Sequence, residues 1–212
     1  ARGELIVPGA IDVHVHSRDP GFEDRENWQC LAQAAYRGGV TAVIDMPNTF
    51  PPTMTRGAVQ AKSLSAQRAG LTHKLLLGVS SESLHELRFL LEDPDLPVAG
   101  MKVYYGNSTG NLGFFDLESL ERALPYNWRG MLVFHSEDQC RIDKHMEDYR
   151  HEIAKVGTEA SDYRIHSRIR DNECAYIATN EIIEWAIKYD RAIHIAHVST
   201  AKELKLISQA RR

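Results

Sequence analysis

Ile11-Asp12-Val13-His14-Val15-His16, followed by Ser17-Arg18-Asp19-Pro20-Gly21, is a run of period two that ends on two imidazoles. Successive side chains of an extended strand point to opposite faces, so His14 and His16 share a face. Two neutral imidazoles converging at a strand end can hold a metal ion. Composition alone would supply about 0.5 His-x-His pairs in such a chain, so the pair gains its weight from its surroundings. Arg18 continues the same parity before Asp19-Pro20-Gly21 breaks the strand, which sets a cation beside the two candidate ligands.

Outward from this stretch, short apolar runs alternate with helix-like segments. Candidate strands are Ile11 to His16, Thr41 to Met46, Lys74 to Val79, Val98 to Tyr105, Met131 to His135 and Ala192 to Val198. Between the first two, Trp28, Leu31, Ala32 and Ala35 recur at helical spacing and Gly38-Gly39 supplies a stop. Ser83 to Leu91, Leu117 to Leu124 and Asn172 to Tyr189 also read as helices. Strands separated by helices imply right-handed crossovers and a parallel sheet, hence an α/β protein. Six such strands suit either an open doubly wound sheet or three quarters of an eight-stranded barrel.

The polar residues favour the barrel. Nearly every candidate strand ends in a group capable of chemistry: His14 and His16, Asn48, Lys102, His135, His197. Strand ends converge at the C-terminal mouth of a (β/α)8 barrel, where active sites form. No glycine-rich phosphate loop follows the first strand, which argues against nucleotide binding.

The 212 residues carry a net charge of -4, 43% hydrophobic and 25% charged residues, with no basic stripe. That composition describes a soluble globular chain and argues against a nucleic-acid partner. Cys30, Cys140 and Cys174 form no Cys-x-x-Cys, which suits reduced thiols in the cytoplasm. The longest apolar stretches are strand-sized, so neither a signal peptide nor a membrane span is expected.

A lone His135 after Met131-Leu132-Val133-Phe134 reads first as a satisfied core histidine. His197 shares parity with Ile193 and Ile195, which should face a barrel interior, while His194 falls on the packing face. His73, His85, His145, His151 and His166 lie in polar surroundings and are expected to be solvated. Lys102 sits inside Val98-Ala99-Gly100-Met101-Lys102-Val103-Tyr104-Tyr105, where an ammonium would repel a dication. If burial lowers its pKa, the neutral amine can take up carbon dioxide as a carbamate able to bridge two metals.

Val7-Pro8-Gly9-Ala10 through Gly21 resembles the opening barrel strand of the dihydroorotases, in the amidohydrolase superfamily. Asp45-Met46-Pro47-Asn48-Thr49 is similar to their second-strand motif, and Gly100-Met101-Lys102-Val103-Tyr104 with Ser108-Thr109-Gly110-Asn111 to the segment bearing a carbamylated lysine. His135-Ser136-Glu137-Asp138 resembles the fifth-strand motif and His194-Ile195-Ala196-His197-Val198-Ser199-Thr200 the sixth. The motifs run in the family's order over essentially the whole chain.

The resemblance implies a (β/α)8 barrel of the amidohydrolase type, present here through about its sixth strand, with residues 1–212 forming a partial barrel domain. It implies two divalent ions, usually zinc: His14, His16 and carbamylated Lys102 for one, Lys102, His135 and His197 for the other. Arg18 and Asn48 match residues that grip the substrate carboxylate, a task suited to a planar guanidinium. The implied activity opens the cyclic amide of dihydroorotate to N-carbamoyl-aspartate, and the reverse, in pyrimidine biosynthesis. For partners it allows a homo-oligomer or aspartate transcarbamoylase.

The family's catalytic Asp closes an eighth strand, which would lie beyond Arg212, and the family's small β-sandwich would leave only Gly3-Glu4-Leu5-Ile6-Val7. The chain, which begins at Ala1, is expected to be a fragment, a processed chain or a partial record, and not to turn over dihydroorotate by itself. Alternatives are a catalytically silent scaffold subunit of dihydroorotase type, or another cyclic amidohydrolase such as an allantoinase or hydantoinase. Arg18 together with Asn48 disfavours the latter.

Overall fold

The computed structural model describes residue 3 and residues 5–106, 112–124, 130–150 and 163–211. Ser108 to Asn111 of the fourth-strand motif, and His151, lie outside the described residues. Strand β1 (Ala10–Val15) is followed by α1 (Trp28–Arg37), β2 (Val40–Asp45), α2 (Arg56–Arg68), β3 (Thr72–Gly78), α3 (Leu84–Glu92) and β4 (Val98–Tyr105). Then come α4 (Leu117–Ala123), β5 (Met131–Ser136), α5 (Gln139–Asp148), α6 (Tyr163–Ile169), α7 (Asn172–Lys188), β6 (His194–Ile195) and α8 (Ala201–Ala210). The strands form one six-stranded sheet in chain order, and the pairs β1–β2, β2–β3, β3–β4 and β5–β6 are parallel. This is the β/α alternation of a partial barrel, as the polar strand ends predicted.

Two compact units divide the chain, residues 1–102 with 123–130, and residues 103–122 with 131–212. In the first, Leu75, Leu76 and Leu77 of β3 are all fully buried. Consecutive burial on both faces is the mark of a strand covered by helices. Trp28 and Ala32 of α1 and Val59 and Ala66 of α2 supply further buried apolar groups. In the second unit, Phe134 of β5 meets Trp185 of α7 edge-on at a centroid distance of 5.8 Å, a favoured aromatic geometry.

The helix starts are chemically specified. Asn27, Thr55, Asp138, Asp171 and Thr200 each accept a hydrogen bond from a first-turn backbone N–H, satisfying donors that a helix start leaves unpaired. Helix α2 escapes periodicity reading because its inward stripe holds Lys62 and Ser63 beside Val59 and Ala66. The sixth strand is shorter than the expected Ala192 to Val198. His197 adopts φ 41°, outside the extended region, so pairing ends soon after Ile195.

Candidate functional site

In the first unit β1 delivers His14 and His16 with ring centroids 5.4 Å apart. His16 donates from Nδ1 to Asn48 Oδ1 at 2.7 Å, which leaves Nε2 as its other ring nitrogen. Burial lowers the pKa of His16, and the charges of Arg18 and Lys102 push the same way against Asn48 and Asp45. The imidazole is thereby kept in the neutral form that a metal requires. Lys102 is 1% exposed, and burial draws its pKa down to about 8. A far larger share of its amine is then neutral near pH 7 than for a solvated lysine.

The turn after His16 is pinned by groups whose role the sequence reading missed. The Asp45 carboxylate, at the end of β2, accepts from the Ser17 backbone N–H at 2.7 Å and from the Ser17 hydroxyl at 3.1 Å. Its second oxygen is also ion-paired with the Lys62 ammonium. Lys62 donates further to the Met46 carbonyl at 2.7 Å and to the Thr53 hydroxyl at 3.2 Å. Asp45 and Lys62 are 0% and 1% exposed. A buried pair of this kind persists only when its remaining lone pairs and protons are matched. Beyond Ser17 the backbone turns through Arg18 at φ 63°, and the Arg18 charge acts on His16. Lysine on the apolar stripe of α2 was the available signal.

In the second unit His135, closing β5, and His197, after β6, meet with His135 Nδ1 3.2 Å from His197 Nε2. His135 donates from Nε2 to Glu137 at 2.8 Å, and Glu137 is ion-paired with Arg170. His197 follows β6 with a left-handed backbone, φ 41°. A buried chain lies beneath it: Ser136 Oγ to Thr179 Oγ1 at 2.8 Å, Thr179 to Glu203 at 3.1 Å, and Glu203 in a capping box with Thr200.

Several expectations are corrected. His73 is not solvated: its Nδ1 donates to the Leu71 carbonyl at 3.0 Å and its Nε2 meets the Ser63 hydroxyl at 2.9 Å. His145 is half-buried, donating to the Ile169 carbonyl at 2.9 Å. His194 is exposed and does not pack. Among the described residues, His145, Asp171 and Cys174 have ligand atoms within 4.8 Å of one another. Each is already engaged, Asp171 by Arg141 and Cys174 by the Ile169 carbonyl.

Residues 3–89 match the family described as dihydro-orotase-like. The Methanosphaera stadtmanae dihydroorotase is 31% identical over 210 residues, 98% of this chain and 45% of that protein. The Streptomyces avermitilis allantoinase is 30% identical over 213 residues, again 98% of this chain and 45% of the relative. Among solved structures, the L-hydantoinase (dihydropyrimidinase) of Arthrobacter aurescens superposes with a TM-score of 0.82 at 22% identity, covering 96% of this chain and 44% of that one. The chain thus spans less than half the length of these relatives.

Proposed function

We propose, from the match of residues 3–89 to the dihydro-orotase-like family, that the protein containing this chain is a cytoplasmic, zinc-dependent hydrolase that opens the cyclic amide of dihydroorotate to N-carbamoyl-aspartate and reverses the step. Residues 1–212 supply the first six strands of its barrel domain. The observation that carries this reading is the approach of His135 Nδ1 to within 3.2 Å of His197 Nε2.

The donor sets fit divalent ions. In the first unit His14, His16 and Lys102 would hold one, Lys102 as its carbamate, formed when the neutral amine adds to carbon dioxide and sheds a proton. In the second unit His135 and His197 offer two converging nitrogens to another. Such ions supply Lewis acidity toward a cyclic amide carbonyl and toward water. The remaining work falls to side chains. Arg18 binds the substrate carboxylate through its planar fork, beside Asn48, whose carbonyl oxygen accepts from His16.

The test is ring opening of dihydroorotate and of allantoin, run side by side on the zinc-supplemented full-length protein, not on residues 1–212 alone. Faster turnover of dihydroorotate supports this reading. Preference for allantoin would move the protein to the second reading that the 30% identical allantoinase raises. Turnover of neither would point to a silent scaffold.

A further inference from the structure

We infer that Glu137, held by Arg170, is a positioning residue that fixes His135 in the tautomer bearing its proton on Nε2, so that Nδ1 is turned toward His197 as a ligand. This rests on the metal-site reading above and extends it to two residues that no donor set includes.

The geometry supports each link. Glu137 is fixed at the main chain, its N–H donating to the Tyr105 carbonyl at 2.8 Å. Gly106 packs so closely that a Cβ there would lie 2.6 Å from the Glu137 carbonyl oxygen. The next residue is held too, since the Asp138 N–H donates to the Cys174 carbonyl at 2.9 Å. The Glu137 side chain therefore departs from an immobilised backbone, and the Arg170 ion pair sets its direction. A carboxylate accepts and cannot donate, so the 2.8 Å contact to His135 Nε2 requires a proton on that nitrogen. The neutral ring then has its lone pair on Nδ1, the atom 3.2 Å from His197 Nε2. Carboxylates behind ligating imidazoles select the tautomer and orientation in this manner, and losing them costs roughly 10–100-fold in metal affinity.

The experiment reads the tautomer directly, by histidine nitrogen NMR on the metal-free protein. It is paired with cobalt(II) affinity measured against a competing chelator. The wild type should show His135 protonated on Nε2. In Glu137→Ala that signal should move toward a tautomer mixture and cobalt should bind about 10–100-fold more weakly. Glu137→Gln, whose amide oxygen still accepts, should restore both, which a general loss of fold would not. A wild-type His135 protonated on Nδ1, or a Glu137→Ala protein that keeps both its tautomer and its cobalt affinity, would overturn the inference. A protein with the expected tautomer that binds no cobalt would support the positioning and sink the metal reading instead.

Discussion

The Lys62 ammonium and the Asp45 carboxylate are paired in the interior of the first unit, and between them they fasten Ser17, Met46 and Thr53. The chain segments that carry His16 and Asn48 thus leave β1 and β2 from a common buried charge pair. Removing one member leaves the other charged and unsolvated, which costs about 3–5 kcal/mol. Lys62→Met should lower stability by that amount in denaturant unfolding. Combining it with Asp45→Asn should cost less than the two single changes added together, because the sites are in contact. Additive losses would show that the pair is not coupled.

Asp171 starts α7, accepts from the Cys174 N–H, and is bound by Arg141 through two hydrogen bonds at 2.8 and 2.5 Å. Those hydrogen bonds from Arg141, with the Cys174 N–H behind them, hold its carboxyl below the usual carboxylate range. A carboxylate whose folded pKa is depressed adds stability above its unfolded value, near 3.9, and loses it as pH falls through the folded value. Wild type should therefore exceed Asp171→Asn in melting temperature at neutral pH, and the gap should narrow below about pH 4. A gap independent of pH would place the effect in packing.

Gly106 combines φ 116° with the close approach to Glu137. A side chain there meets both strain and a backbone clash, so Gly106→Ala should destabilise by about 1–3 kcal/mol. Calorimetric melting measures it. An unchanged melting temperature would mean that the Gly106 turn can relax away from Glu137.

Much of this was legible in the residues. Apolar runs of strand length located the sheet, because a covered parallel strand needs little else than continuous burial, as Leu75 to Leu77 show. Helix α2 was not legible, since its buried face includes a lysine whose partners lie in other segments. His14 and His16 do lie together, with ring centroids 5.4 Å apart, although β1 carries a register shift between Asp12 and Val15. Arg18 and His197 lie at φ 63° and 41°, outside extended backbone, so strand parity alone does not set where their side chains go. Arg170 could not be foreseen at all, for its meeting with Glu137 is made by tertiary structure across 33 residues.

Arg18→Ala should raise the KM for dihydroorotate at least about thirtyfold, the lower end of the 2–5 kcal/mol lost when one partner of a charged contact is truncated. Metal content should not change, because a guanidinium offers no lone pair to an ion. Elemental analysis beside steady-state kinetics separates the two. Parallel loss of metal would place Arg18 among the groups that shape the metal site.

The most direct measurement is dihydroorotate ring opening before and after metal removal. The full-length protein that contains residues 1–212 is stripped with a chelator until elemental analysis finds no metal, assayed, and assayed again after zinc is returned with bicarbonate as a source of carbon dioxide. Activity should vanish on stripping, return with zinc, and fail to return in His135→Ala or His197→Ala. Undiminished ring opening by the stripped protein, or full recovery in both histidine variants, would contradict a metal-dependent hydrolase built on these side chains.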